Sequence, residues 1–261
     1  KKTFSMEDLS IVIPDGAHVV GGNSMNLTIG DNTFVFEVIS QEGKSTSRYI
    51  LTIHRHENDA VKVDSIQFVS DPLTPQDSTP FIASLLQRLA LRSEKEILVQ
   101  TPYMTHHPKL FATLAHKKED VDIAILTNSI SSSWNFPAFG AYYNFKKPFI
   151  TSAGGLYEYQ SDGGKDSIHG KAYLIDETLV LGSLNLDHRS YYINPETVVL
   201  VEGEAVAKMF KDEYMHKLEK AYEIKQGHLE AGCKSPSRAP LFKRVLMRIV
   251  GFVAYLFKIL I

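Results

Sequence analysis

At 261 residues the chain has room for one large domain or two, and its 44% hydrophobic and 22% charged content is ordinary for a globular protein. A formal net charge of −2 argues against a protein that coats nucleic acid, which normally carries a basic excess, so no nucleic-acid partner is expected. The single cysteine, Cys233, excludes an internal disulfide and a cysteine-based metal site. The chain begins at Lys1 without a visible signal peptide, and we expect it to be a piece of something longer.

Residues 1–57 lack helical periodicity. Thr33 to Ile39 and Arg48 to Ile53 are β-rich runs separated by Gln41-Glu42-Gly43-Lys44, which predicts a hairpin. The stretch from Ile29 to Arg55 resembles the C-terminal part of a cadherin-like β-sandwich repeat, which implies a partial sandwich with no chemistry of its own. Residues 58–79 read as a linker carrying one short strand, Ile66 to Val69. A helix is expected next, with Ser78 or Thr79 as its cap, Pro80 at its first position and an apolar stripe of Phe81, Ile82, Leu85, Leu86 and Leu89. From there strands (96–101, 121–127) alternate with helical stretches. That order predicts an α/β fold, a mixed sheet flanked by helices, over residues 80–225. Ligands of such sheets bind beyond the carboxyl ends of strands, where Tyr103 and Asn128 stand, so both are candidates for lining a substrate cleft.

The most informative stretch is 167–196. His169-x-Lys171 opens an apolar run that ends at Asp176, and a second run leads to Gly182-Ser183-Leu184-Asn185. Two β-rich runs joined by a short polar turn predict a hairpin. Because strand side chains alternate, His169 and Lys171 share a face, as do Ser183 and Asn185. An imidazole, an ammonium, a hydroxyl and a carboxamide gathered there suit a phosphate: Lys171 supplies charge, Ser183 and Asn185 neutral donors, and His169 a nucleophile or acid. Gly182 permits close approach of a backbone or ligand.

The pattern His169-x-Lys171-x4-Asp176 followed by Gly182-Ser183-x-Asn185 resembles the HKD motif of the phospholipase D superfamily. Leu186-Asp187-x-Arg189-Ser190 and Asn194-Pro195-Glu196 resemble the continuation seen in bacterial cardiolipin synthases, and the likeness extends over roughly residues 62–224. Five residues separate Asp176 from Gly182 where the family usually has six, which implies a tighter turn at Glu177-Thr178. The resemblance implies that His169 forms a phosphohistidine, that Glu196 pairs with its ring, that Lys171 holds the phosphoryl oxygens and that Asp176 is structural. A neutral imidazole is a good nucleophile near neutral pH, since its unperturbed pKa is about 6.5. No metal or other cofactor is implied: the carboxylates do not cluster, and Lys171 supplies the cation a metal would provide.

The family's site uses two such motifs, and one is present here. His107-x-Lys109 and His116-x-Lys118 lack both the Asp and the Gly-Ser-x-Asn. The second half is therefore expected from an upstream segment of a longer chain or from a homodimer partner.

After a helix at 205–222 and a loop at 226–240, residues 241–261 form an apolar segment with a narrow polar stripe of Arg244, Arg248, Gly251, Tyr255 and Lys258. From residue 231 onward there are six basic residues and no acidic one. An interfacial helix on an anionic membrane surface is expected, which would make the protein peripheral to a bacterial cell membrane. The resulting expectation is a phospholipase D-type phosphatidyltransferase acting on phospholipid. The alternatives are a metal-independent phosphodiesterase or nuclease working as a homodimer, and a non-catalytic surface-binding module.

Overall fold

A computed structural model describes residues 3–4, 10–12, 16–21, 24–28, 30–55, 62–72, 80–105, 108–133, 135–144, 146–160, 166–225 and 239–256. The strands are β1 (Thr3–Phe4), β2 (Ser10–Val12), β3 (His18–Gly21), β4 (Met25–Asn26), β5 (Gly30–Ile39), β6 (Thr46–Arg55), β7 (Ser65–Ser70), β8 (Glu96–Gln100), β9 (Asp122–Asn128), β10 (Gly155–Tyr159), β11 (Lys171–Ile175), β12 (Thr178–Gly182), β13 (Thr197–Glu202) and β14 (Ala221–Glu223). The helices are α1 (Phe81–Arg92), α2 (Pro108–Lys117), α3 (Phe136–Asn144), α4 (Lys147–Ser152), α5 (His188–Tyr192), α6 (Glu204–Leu218) and α7 (Leu241–Leu256).

The body of the molecule is a nine-stranded mixed sheet in the order β14-β10-β9-β8-β11-β12-β13-β7-β2. β8, β9 and β10 run parallel, as strands joined by crossover helices must; the hairpin β11–β12 and then β13 and β7 continue antiparallel. Strand residues alternate between two cores. Val99, Tyr173, Val180 and Val198 meet the side of α1, α2 and α3, while Leu98, Leu174 and Leu179 meet Val206, Ala207 and Tyr214 of α6.

Three boundaries differ from expectation. The span 58–79 is not merely a linker, because β7 pairs with β13 from Ser65↔Glu202 to Ser70↔Thr197 and lies inside the large sheet. Its partner lies over a hundred residues downstream, a pairing that no local pattern announces. A cadherin-like sandwich is not shown: among the described residues β3, β5 and β6 make a three-stranded antiparallel sheet whose Phe34, Phe36 and Val38 pack on Phe68, Ile66 and Val199 of the large one. β2 also joins the large sheet beside β7, so the N-terminal segment is not separate from the body. Finally, α6 stops at Leu218, and Tyr222 belongs to β14, which pairs with β10.

Ser78 and Thr79, the expected caps of α1, lie outside the described residues. A remote carboxylate does the capping: Asp71 Oδ1 accepts the Ile82 backbone N–H at 3.0 Å. Of the two partial motifs, His107 lies outside the described residues and His116 is exposed on α2.

Candidate active site

The sheet topology collects one end of the hairpin and several strand termini along a single edge. The carboxyl ends of β8, β9 and β12 and the amino ends of β11 and β13 all fall there, as does the carboxyl end of β7. His169 and Lys171 therefore meet Gln100, Asn128, Ser183, Glu196 and Asp71 at one rim.

The hairpin register decides which residue does what. Lys171 stands opposite Gly182 and Ile175 opposite Thr178, so the two-residue turn is Asp176-Glu177 rather than Glu177-Thr178. Asp176 adopts a left-handed conformation, φ 53°, which Asp tolerates better than most residues. Its carboxylate accepts from Ser93 Oγ at 2.9 Å and from the backbone N–H groups of Glu94, Lys95 and Glu96 at 3.0, 2.9 and 3.0 Å. Burial pushes its pKa up, but the three backbone bonds and the Ser93 bond outweigh that and leave it lowered. Asp176 thus ties the hairpin to the turn before β8, at the end of the sheet away from His169. At Gly182 the close approach is by backbone: a Cβ there would stand 2.2 Å from the Thr197 carbonyl oxygen and 2.7 Å from Val198 Cα.

The His169 ring is exposed, with Nε2 at 3.4 Å from Lys171 Nζ, and the same ammonium donates to the His169 carbonyl at 3.0 Å. Burial lowers the Lys171 pKa, partly opposed by the charges of Glu196 and Asp187. The backbone around His169 is held from both sides. Asn128, 2% exposed at the end of β9, accepts the Ile168 N–H at 2.9 Å and donates to the Ile168 carbonyl at 2.9 Å. Gln100, at the end of β8, donates to the Gly170 carbonyl at 3.4 Å and accepts from Lys217 Nζ of α6 at 3.1 Å. Asn128 was expected to line the cleft; its carboxamide is instead committed to the strand that carries the histidine.

Glu196 differs from expectation as well. It was to pair with the His169 ring, but β12 lies between β11 and β13. Two strand spacings of about 4.8 Å each therefore separate Glu196 from the strand carrying Lys171. Its carboxylate takes a very short hydrogen bond from Ser183 Oγ and a longer one, 3.4 Å, from Asn194 Nδ2. Burial raises the Glu196 pKa against the hydrogen bonds from Ser183, Ser190 and Asn194. The backbone of Glu196 is fixed by Asp71: the Asp71 N–H donates to the Glu196 carbonyl at 2.8 Å, and Asp71 Oδ2 accepts the Glu196 N–H at 3.2 Å.

Ser183 is therefore a partner of Glu196 rather than a free phosphate donor; it also donates to the Thr197 carbonyl at 3.3 Å and accepts the Thr197 N–H at 3.0 Å. Asn185 is half-buried, its backbone N–H on Ser190 Oγ at 3.2 Å, and its side-chain oxygen has no hydrogen-bond partner among the described residues. Tyr103 is half-buried in a segment laced to the post-hairpin turn. Thr101 Oγ1 donates to the Tyr103 carbonyl at 2.9 Å and accepts the Leu186 N–H, while Thr105 Oγ1 accepts the His188 N–H at 2.7 Å. Asp187 caps α5 by accepting the Ser190 N–H at 2.7 Å, and its burial raises its pKa.

Sequence reasoning missed Gln100 and Asp71. Both follow an apolar run at the carboxyl end of a strand, the same signal that singled out Asn128.

With this geometry established, the comparisons with known proteins are decisive about family. The family described as cardiolipin synthase, PLD-like domain, matches residues 86–218, half of the chain. The chain belongs to the phospholipase D-like family. Curated relatives include an uncharacterized protein of Helicobacter pylori (30% identical, 46% of this chain and 26% of that protein) and cardiolipin synthase C of Escherichia coli (26%; 47% and 29%). Cardiolipin synthase 1 of Staphylococcus aureus is 25% identical over 63% of this chain and 32% of its own length. The chain thus spans about a quarter to a third of these relatives. The fold is shared with the phosphatidylserine synthase of Haemophilus influenzae, at TM-score 0.56 and 14% identity over 83% of this chain and 51% of that one. NUC, a phospholipase D family member from Salmonella typhimurium, aligns at TM-score 0.48 and 19% identity over 62% and 99%. Membership supports a phosphodiester-transfer enzyme. The exclusion of nucleic acid drawn from net charge is withdrawn, because a phospholipase D-like site grips a phosphodiester, which lipid headgroups and nucleic-acid backbones share. Whole-chain charge also does not describe the field at the rim.

Proposed function

We propose that this chain supplies one half-site of a phospholipase D-type phosphatidyltransferase resembling the cardiolipin synthases, working through a phosphohistidine. The observation that carries the reading is the exposed His169 ring beside the Lys171 ammonium, on the segment leading into β11, whose backbone is held by two buried amides. His169 Nε2 attacks the phospholipid phosphorus, the P–O bond to the headgroup alcohol breaks, and a phosphatidyl group is left on the ring. A hydroxyl of an acceptor lipid then attacks that phosphorus and restores the imidazole. Lys171 offsets the charge on the non-bridging oxygens, worth a substantial share of the barrier in a water-poor site. Asn185, whose side-chain oxygen has no hydrogen-bond partner among the described residues, is assigned through its amide N–H as a neutral donor to the same oxygens. Ser183 holds the Glu196 carboxylate, keeping that negative charge away from the phosphate. Proton delivery to the leaving alcohol falls to a second histidine, from an upstream half or a second copy.

The test incubates the chain with its second half-site supplied, within the longer protein or as a dimer, with phosphatidylglycerol vesicles and a chelator and follows cardiolipin by mass spectrometry. Turnover lost in His169→Ala supports the reading. No lipid product from wild type, or product unchanged in His169→Ala, overturns it. Cleavage of DNA without lipid turnover would move the same half-site to the nuclease reading.

A further inference from the structure

The C-terminal helix has two faces with different fates. Met247 and Gly251 are buried against α3, where the two backbones nearly touch: a Cβ on Gly251 would stand 2.2 Å from the Gly140 carbonyl oxygen, and one on Gly140 2.6 Å from Gly251 Cα. Asn144 of α3 adds a hydrogen bond to the Arg248 carbonyl at 3.0 Å. The stripe expected to face headgroups is thus partly the docking face. A second face is open among the described residues: Leu241, Phe242, Val245, Ile249, Phe252 and Val253 are all exposed, Phe242 by 77%. At 3.6 residues per turn these six fall within an arc of about 120°. Exposed Arg248 borders the arc, while half-buried Arg244 and Lys243 lie about 60° and 80° outside its two edges, and α7 contains no acidic residue.

We propose that α7 is a lipid-surface anchor that seats the reaction rim on an anionic bilayer. The sixteen described residues of α7 make about 24 Å of helix and carry Lys243, Arg244 and Arg248, cations suited to the headgroup level and not to the hydrocarbon core. No helix among the described residues is long and apolar enough to cross a membrane. An exposed apolar arc with Arg248 at its edge, on a helix with basic and no acidic residues, fits the boundary between acyl chains and anionic headgroups. A second copy is the poorer occupant, since α7 holds three basic residues and no acidic one, so two such helices facing each other would bring like charges together. The placement ties the anchor to the chemistry. Lys243 Nζ donates to the Ser131 carbonyl at 3.4 Å, and Ser131 follows by three residues the Asn128 that holds the His169 strand. The start of α7 is therefore at the strand-end rim, and the glycine contact fixes its direction. The anchor does not depend on which phosphodiester is transferred.

Flotation of the full chain with vesicles of phosphatidylglycerol and phosphatidylcholine, and of phosphatidylcholine alone, tests this. Binding is expected to the mixed vesicles and to weaken as salt rises, whereas Arg248→Glu lowers the affinity for them roughly five-fold or more. The double variant Phe242→Asp, Ile249→Asp should lose at least ten-fold in affinity while keeping its melting temperature, because both side chains are already in water. Wild type that ignores both vesicles overturns the proposal. So does a double variant that still binds lipid, or one that turns an oligomer into a monomer without loss of lipid binding; the latter would make α7 a protein interface. His169→Ala should bind vesicles as wild type does, which separates this proposal from the catalytic one.

Discussion

Lys146 and Lys171 are both drawn partly or wholly out of water, yet their surroundings are opposite. Lys146, 5% exposed, makes a very short hydrogen bond to the Glu158 carboxylate, which also accepts from Tyr142 Oη at 2.9 Å; the rings of Tyr142 and Tyr143 stand 5.1 and 4.8 Å from the ammonium. That charge is complete in itself. Lys171 is half-buried and contacts only the ring and carbonyl of His169, with no carboxylate at ion-pair distance among the described residues. A partly desolvated ammonium with no carboxylate at ion-pair distance, only the more distant charges of Glu196 and Asp187, is costly to keep unless an anion comes to it. The contrast separates a structural ion pair from the ammonium proposed to hold a phosphate.

Breaking the two sites should therefore have unlike signatures. The largest effect is at the rim: His169→Ala should lower phosphodiester turnover by about 10³-fold or more, and Lys171→Met by about 10²–10³-fold, with melting temperatures unchanged or slightly higher. A clear fall in melting temperature for Lys171→Met would mean that its charge is structural after all.

Next come Lys146→Ala and Glu158→Ala, each expected to cost about 3–5 kcal/mol in urea unfolding because either leaves a buried charge unpaired. The double substitution Lys146→Met, Glu158→Leu should recover most of that loss, and turnover per folded molecule should be near wild type. Persistent inactivity in a stable double variant would connect this pair to the site.

Asn128→Leu sharpens the comparison from the other direction, since it leaves His169 and Lys171 in place but releases the backbone beneath them. Turnover should fall about 100-fold through a lower kcat, with KM little changed, and Asn128→Asp, which keeps the acceptor for the Ile168 N–H, should lose less. Equal losses in both variants would show that the amide does not act through that clamp.

The smallest effect is at the far end of the hairpin. Asp176→Asn should cost about 1–2 kcal/mol near neutral pH, a figure already reduced for the solvent that reaches this partly exposed carboxylate. The folded-state pKa is lowered, so the stabilisation is fully present above the ordinary carboxylate value of 3.8 and disappears as pH falls through the lowered one. Melting curves of the two proteins should converge in acid, and a difference that persists there would assign the stabilisation to something other than the charge.

The hairpin of the candidate site was legible in a linear stretch because it is local: His169, Lys171, Asp176 and Gly182 lie within fourteen residues, and the pairing of β11 with β12 needs only strand alternation and a two-residue turn. The alternation of strands and helices after residue 80 likewise announced a mixed sheet with helices on its faces. What no linear reading could supply was strand order. Placing β12 between β11 and β13 moved Glu196 from His169 to Ser183, and pairing β7 with β13 turned Asp71 from a linker residue into the clamp on Glu196 and the cap of α1. The same holds for α7, whose amphipathic pattern was plain but whose docked face was not. Gly140 and Gly251, more than a hundred residues apart, selected it because only there can two helix backbones come so close. Local periodicity and spacing are written in neighbouring residues, whereas register and contact between distant segments are settled only when the whole sheet is assembled.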